Sequence, residues 1–414
     1  VIMKKAIVSV SVCLIMAMVL STGCQKAASV QSDKKSETTK KAESAVQGSA
    51  SQEAASQETE AETIRFAVVG PMTGDAASQG AQQLNGIQLA VNEINEAGGI
   101  LGKNLEFDVY DDQLNPNQTI ICAEKIVADP GYRFVMTTVS SGGTQASYPV
   151  YKTVDLPVIA GINTADHLTQ HGFENLLRVS YRDNANVAQL CDLIVNEMKF
   201  QKPAIIYTVS DTDVSSYEYC AGYLEDTYGM EFISTACVNP TTEKDYTAHV
   251  TNFKNQGADC VIIMSEYSPA ALFTKQARSL GYDGQIFSLG GASNPQFIEI
   301  AGEAAEGFVS VCGFDPTVEN EQVQRFVEAY KELSGFAPGE WGAGCYDSIY
   351  VVAEALKSKE AKDLTGRDLV EWLRANTDYS GVTGEVAFDG NGDNVKCKAH
   401  FIQVKDGAFQ HFEP

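Results

Sequence analysis

Positive charge is scarce in this chain of 414 residues. It contains 30 Lys and Arg against 54 Asp and Glu, a formal net charge of −24 at pH 7. Nucleic-acid-binding proteins usually present a basic surface, and anionic lipid attracts basic segments, so this balance argues against both partners. Residues 62–414 carry a net charge of −25 and residues 1–61 are nearly neutral. The acidity therefore belongs to the body of the chain. The full length of 414 residues is enough for two or three domains.

Long apolar runs are also lacking. The apolar run at residues 6–20 follows Lys4 and Lys5, and its length is below the roughly 20 residues that span a bilayer. This pattern predicts a secretory signal peptide at residues 1–24. Residues 21–24, Ser-Thr-Gly-Cys, resemble a bacterial lipobox, which implies that Cys24 is lipidated. Residues 25–61 contain no aromatic residue and are predicted to form a disordered tether.

Catalytic and metal-binding motifs are missing as well. The sequence contains no G-x-S-x-G, H-E-x-x-H or C-x-x-C pattern and no glycine-rich phosphate loop followed by Lys and Ser or Thr. We therefore expect no enzyme activity, no metal and no cofactor. The eight cysteines after residue 62 are widely scattered, and a chain of this length needs no disulfides for stability. They are predicted to be free buried thiols.

Strands and helices alternate along the body. Predicted strands cover residues 64–70, 105–110, 134–139, 156–160, 203–207, 231–238, 260–265 and 286–289. Predicted helices cover 84–97, 116–128, 217–228, 246–256, 269–280, 321–334 and 343–357, with another starting near Gln145. This alternation predicts an α/β protein with two doubly wound parallel-sheet lobes. Lobe 1 is assigned to 62–182 plus 314–386, and lobe 2 to 183–313 plus 387–414.

Two places combine chemistry with a suitable position. Residues 140–144, Ser-Ser-Gly-Gly-Thr, follow a predicted strand and open a helix, so their backbone N–H groups suit a carboxylate. An ordinary strand-to-helix turn is the alternative interpretation. Glu266 and Tyr267 come directly after another predicted strand, where open α/β sheets bind ligands.

The order of short motifs resembles the type I solute-binding proteins of ABC importers, specifically the branched-chain amino-acid receptor family. The matching segments are 69–74, 85–86, 93–102, 110–112, 140–145, 168–170, 276–281, 304–307, 345–348 and 384–389. The resemblance spans residues 63–412. It implies a type I periplasmic-binding-protein fold whose two lobes are joined by three crossings and close on a ligand.

The family's ligand contacts transfer to positions where the local sequence agrees. The resemblance implies that Ser140 and Ser141 bind the carboxylate of an amino acid. It further implies that Asn163 and Thr164 bind the ligand's charged ends and that Tyr267 closes over it. The implied partners are an ABC permease with its ATPase subunits, and the implied location is the outer face of the cell membrane, where lipidated Cys24 anchors a monomer.

Two positions depart from the family pattern. The Glu that binds the ligand ammonium falls at Gly290, and leucine-type receptors often have an aromatic residue where this chain has Gln79. Because a buried ammonium needs a carboxylate, either Glu266 or Asp213 replaces the missing Glu or the ligand lacks an α-ammonium group. Glu266 is the preferred substitute because it neighbours Tyr267. Gln79 indicates a ligand more polar than leucine.

The expected function is therefore capture of a small amino acid or a similar solute between two lobes, followed by delivery to a permease. The alternative is a sensor of the same fold that binds an amide or a small organic acid and reports to a signalling partner.

Overall fold

The computed structural model describes residues 63–413. The predicted signal peptide, the tether and Cys24 lie outside the described residues. No helix within 63–413 has both the length and the apolar character needed to cross a bilayer.

The first lobe is built on a five-stranded parallel sheet with the order β2-β1-β3-β4-β5. Its strands are β1 (Ile64–Gly70), β2 (Leu105–Asp111), β3 (Tyr132–Met136), β4 (Val158–Ala160) and β5 (Leu176–Arg178). The connecting helices are α1 (Ala77–Glu96), α2 (Pro116–Val127) and α3 (Ser141–Lys152). Apolar residues of β1, β3 and α1, such as Phe66, Phe134 and Ile87, are fully buried in one core cluster.

The second lobe repeats this winding in a seven-stranded sheet. Its five parallel strands are β6 (Pro203–Thr208), β7 (Ser234–Val238), β8 (Cys260–Met264), β9 (Gln285–Leu289) and β10 (Val309–Cys312), in the order β10-β9-β8-β6-β7. Its helices are α4 (Asp183–Asp192), α5 (Asp211–Tyr228), α6 (Thr247–Gln256), α7 (Tyr267–Ser279) and α8 (Pro295–Ala301).

The chain then returns to the first lobe. Helices α9 (Glu321–Ser334) and α10 (Glu340–Lys357) pack on α1, and α11 (Gly366–Asn376) packs beside β5. A small hairpin, β11 (Tyr379–Gly381) and β12 (Gly384–Val386), follows. Of the last two strands, β13 (His400–Lys405) pairs antiparallel with β10, and β14 (Ala408–His411) pairs antiparallel with β13. The chain thus crosses between the lobes after β5, after β10 and after β12, which confirms the predicted two-lobe architecture.

The third crossing contacts the first lobe over several residues. The backbone N–H of Arg178 donates to Gly392 at 2.8 Å, and that of Asn394 donates back to Arg178 at 3.1 Å. The carboxylate of Asp393 also pairs with the buried Arg178 guanidinium at 2.6 Å. Residues 392–394 therefore extend the edge of the first sheet at β5, although the sequence assignment placed everything after 386 in lobe 2.

Several element bounds differ from the sequence prediction. Helix α1 begins at Ala77 instead of 84, α3 at Ser141 instead of about 145, α5 at Asp211 instead of 217, and α10 at Glu340 instead of 343. Strand β5 was not predicted. The early turns were missed because they bury polar residues or glycines, which carry no apolar periodicity: Gln79, Gln82 and Gln83 of α1 are all buried.

The eight cysteines within residues 63–413 are free thiols, as predicted. Six of the eight are buried, but Cys237 is exposed and Cys397 is half-buried, so the prediction that all are buried was wrong for these two.

Candidate ligand-binding cleft

The N-terminus of α3 lies at the carboxyl end of β3 and is tied to the segment after β4. Ser140 is the N-cap of α3, and its hydroxyl accepts a hydrogen bond from the Gly143 N–H at 3.1 Å. The Ser141 hydroxyl accepts from the Ala165 N–H at 3.4 Å. Both predicted serines therefore also hold this corner of the cleft together, and the helix dipole makes the corner attractive for an anion.

Asn163 and Thr164 lie in that adjoining segment. The Asn163 amide donates to the Thr138 carbonyl at 3.0 Å and to the Thr144 hydroxyl at 3.2 Å. Its Oδ1 is buried and has no partner among the described residues. The Thr164 hydroxyl donates to Asp183 at 2.9 Å. The four first-lobe residues predicted from the sequence are thus brought together around one helix terminus.

Arg178 fixes the shape of the segment that carries Asn163 and Thr164. Its guanidinium is fully buried, pairs with Asp393, and donates to the Ala165 carbonyl at 2.6 Å and the Thr169 hydroxyl at 3.2 Å. Because Asp393 belongs to the third crossing, this one side chain links the segment that carries Asn163 and Thr164 to the hinge. Sequence reasoning did not identify it, since β5 itself was not predicted.

The opposite side of the cleft meets the N-terminal part of α1. The Gln79 amide donates to the carboxylate of Glu266, and the Tyr267 hydroxyl donates to the Asp75 carbonyl at 3.1 Å. The Asn294 amide donates to the Ser78 hydroxyl at 3.5 Å. These hydrogen bonds join the two lobes across the cleft. The predicted residue Gln79 of the first lobe therefore contacts the second lobe, and the predicted residues Glu266 and Tyr267 of the second lobe contact the first.

Carboxyl groups dominate the electrostatics of the cleft. Glu266 is reached by solvent but is surrounded by protein, and this desolvation, together with repulsion from Asp213 and Glu340, raises its pKa to about 8. Desolvation also raises the pKa of Asp183 to about 7. It raises the pKa of Asp213 to about 6, although hydrogen bonds with Thr208 and Ser210 oppose this shift.

Glu340, at the first turn of α10, is a cleft residue that the sequence analysis missed. Its Oε2 accepts from the Tyr181 hydroxyl and from the Gly313 N–H, both at 3.1 Å. A Cβ added at Gly290 would clash with both Glu340 carboxylate oxygens and with the Tyr181 hydroxyl. The carboxylate of Glu340 therefore occupies the space beside Gly290, and its burial raises its pKa to about 7.

No sequence signal pointed to Glu340. It lies 50 positions after Gly290, and an acidic residue at the start of a helix is common for purely structural reasons. Only the packing of α10 against the crossing at Gly313 brings it to the cleft.

The cleft is nearly closed in this arrangement. The cavity that borders Thr164, Tyr181 and Glu340 has a volume of about 20 Å³, room for about one water molecule. A cavity of about 1020 Å³ lies elsewhere, between Pro338 and Phe409, and none of the predicted site residues lines it. Hydrogen bonds between the lobes cover the interlobe cleft in this arrangement, so entry of a ligand there would require the lobes to move apart. No group of three or more His, Cys, Asp or Glu side chains within 63–413 is arranged to hold a metal ion.

A family model described as periplasmic binding protein matches residues 63–408 of this chain. The chain belongs to the periplasmic binding protein family. Members of this kind bind substrates for transporters and are not enzymes, so the chain is a solute-binding protein without catalytic activity.

Individual relatives agree with this assignment. The chain is 29% identical over 338 residues to a leucine-, isoleucine-, valine-, threonine- and alanine-binding protein of Pseudomonas aeruginosa, covering 80% of this chain and 87% of that protein. The fold is similar to that of a branched-chain amino acid transporter substrate-binding protein of Streptococcus pneumoniae in complex with isoleucine. The TM-score is 0.78 with 25% identity, over 85% of this chain and all of that one.

The fold alone does not determine the ligand. A solute-binding protein of an ABC transporter from Rhodopseudomonas palustris superposes with a TM-score of 0.77 at 21% identity, over 84% of this chain and 96% of that one. That protein is in complex with 3,4-dihydroxybenzoic acid, which carries no ammonium group. The ligand class of this solute-binding protein must therefore be argued from its own cleft residues.

Proposed function

We propose that this protein captures a small amino acid or amino-acid-like solute outside the cell and delivers it, as a monomer, to an ABC permease with its ATPase subunits. The ligand binds in the cleft between the lobes, which close over it. Cys24 carries a lipid that holds the protein at the outer face of the membrane.

The observation that carries this proposal is that the two lobes offer groups of opposite kind to one cleft, hydrogen-bond donors from the first lobe and carboxylates from the second. The α3 N-terminus with Ser140 and Ser141 offers N–H and hydroxyl groups on the first lobe. Glu266 offers a carboxylate from the second lobe, and Asp213 interacts with it electrostatically. A solute with a carboxylate at one end and an ammonium at the other would pair with both, and charge-assisted hydrogen bonds of this kind are the strong ones.

A thermal-shift screen of the purified chain tests the proposed ligand class. The screen includes the common amino acids, their amides and small organic acids. A ligand that binds only the folded state raises the melting temperature by mass action, by an amount that grows with its concentration. At least one amino acid is expected to do so, and a screen in which only organic acids do so would contradict the proposal.

Delivery and anchoring need separate experiments in cells. Deletion of the gene is expected to abolish uptake of the ligand found in the screen, whereas uptake unchanged by deletion would favour a sensor. A labelled fatty acid is expected to be incorporated into the wild-type protein and not into a Cys24→Ala variant. Equal labelling of both would exclude Cys24 as the anchor.

A further inference from the structure

Two carboxylates border the glycine pair that follows β9. The Glu340 carboxylate fills the space where a side chain of Gly290 would stand. The Glu266 Oε2 lies 3.5 Å from the position of a Cβ on Gly291. Glu340, from the first-lobe helix α10, and Glu266, from the second lobe, therefore bring their carboxylates to adjacent residues of one loop. Both carboxylates fit there because Gly290 and Gly291 have no side chains.

An unsatisfied acceptor lies next to this pair of carboxylates. The side chain of Gln79 is 99% buried, and its amide nitrogen donates to Glu266. Its Oε1 has no hydrogen-bond partner among the described residues. Since Oε1 and Nε2 belong to one amide, Oε1 lies close to the carboxylate. A buried acceptor without a donor is costly, and a ligand N–H would relieve that cost.

Within residues 63–413, the groups that interact with these two carboxylates are acidic or neutral. Asp213, Asp183 and Tyr267 interact with Glu266, in addition to Glu340 itself. Glu340 faces Tyr181, Cys312 and Cys397, and its donors are the Tyr181 hydroxyl and the Gly313 N–H. The nearby Arg178 and Arg182 are already paired with Asp393 and Asp166.

We propose that Glu340 and Glu266 together bind a cationic group of the ligand, with Gln79 Oε1 accepting from the same group, and that the ligand carries a net positive charge. The class that fits is a small amine such as a basic amino acid or a diamine. This inference rests on the proposed function, because it assigns the ligand class of the same cleft. A zwitterion without further charge would bring only one ammonium to the four carboxyl groups of Asp183, Asp213, Glu266 and Glu340.

Cation binding has a proton signature. Desolvation and mutual repulsion raise the pKa of Glu266 to about 8 and that of Glu340 to about 7. A cation placed between them favours the ionised forms and lowers both pKa values. Carboxyl groups that are partly protonated at pH 7 then release their protons as the ligand binds.

Three probes with matched carbon chains test the inference by isothermal titration calorimetry at pH 7. L-Lysine has a terminal ammonium, L-norleucine has the same skeleton without it, and 1,5-diaminopentane lacks the carboxylate. L-Lysine or 1,5-diaminopentane is expected to bind about 30-fold or more tightly than L-norleucine. The apparent binding enthalpy is expected to differ between phosphate and Tris buffers. The two buffers differ in ionisation enthalpy, and each takes up the protons that binding releases.

Variants locate the effect. Glu340→Gln keeps the size of the side chain and is expected to weaken binding of the cationic probe about 30-fold. Glu266→Gln provides a second, independent variant. Glu360→Gln is the control, because Glu360 is exposed and lies after α10 ends at Lys357. Thermal melts of all three confirm that they fold.

The outcomes separate this inference from the proposed function. If L-norleucine binds as tightly as the cationic probes, or if Glu340→Gln has no effect on them, the inference is overturned and capture of an amino acid stands. If none of the three probes binds and the wider amino-acid screen is also empty, both are overturned.

Discussion

At the residue scale, Gly290 leaves room for the Glu340 carboxylate in the cleft because it has no side chain. Gly290→Ala is expected to lower the free energy of unfolding by about 1–3 kcal/mol, because the added methyl group collides with Glu340 and Tyr181. Urea unfolding measures this. The control is Gly222→Ala within α5, where nothing lies within 4 Å and the change should be neutral or stabilising. Equal behaviour of the two variants would contradict the described position of Glu340.

Arg178 is the second residue on which the cleft depends. Arg178→Met removes the buried cation and leaves Asp393 only the more distant Arg182 guanidinium, 3.7 Å away, so the free energy of unfolding should fall by about 3–5 kcal/mol. Arg325→Met is the matched control, because Arg325 and Glu321 are largely exposed and lie 4.0 Å apart, an arrangement worth less than about 1 kcal/mol. A loss below about 1 kcal/mol for Arg178→Met would show that the pair does not hold the hinge.

At the element scale, we expect helix α3 to have both a structural role and a role in ligand binding. Ser140→Ala removes the N-cap and is expected to cost about 1 kcal/mol of stability. Asn320→Ala removes the N-cap of α9 at a similar cost, away from the cleft. Ligand titration of both variants should show weakened binding for Ser140→Ala alone. Equal affinities would assign Ser140 a purely structural role.

The elements also show what the sequence could and could not predict. Parallel strands separated by helices followed directly from apolar runs such as that of β8, whose residues are all buried. The first turns of α1 and α10 were missed because they bury Gln79, Gln83 and Glu340. The Gln83 amide nitrogen donates to the Val69 and Thr137 carbonyls, contacts that only the folded chain creates.

For the site, motif resemblance indicated the corner around Ser140, Asn163 and Thr164, which the structure brings together. Glu266 was selected because it follows β8, and the structure places it against Gln79. The roles of Glu340 and Arg178 could not be predicted from the sequence. Glu340 contacts Tyr181 and Arg178 pairs with Asp393, and each of these partners lies more than 100 residues away along the chain.

At the scale of the whole molecule, the cleft carboxyls make stability depend on pH. Asp183 and Glu340 have pKa values of about 7 and Glu266 of about 8, above the roughly 4 expected when unfolded. The folded state therefore binds more protons, and the associated stability, complete below pH 4, is lost as pH rises through 7 and 8.

The urea midpoint of the ligand-free protein should therefore fall between pH 7 and pH 8.5. His167 and His400, whose pKa values are lowered by burial, act in the opposite direction only at lower pH. A Glu266→Gln, Glu340→Gln double variant should have a flatter profile. A midpoint that rises across this interval in the wild type would contradict the clustering of these carboxyls.

The most direct test of the central claim is calorimetric titration of the wild type and Glu266→Gln with the amino acid that gives the largest thermal shift. If the cleft binds the ligand's ammonium through Glu266, the affinity should fall by about 30-fold or more, while the melting temperature without ligand stays level or rises. Unchanged affinity in Glu266→Gln would contradict the account.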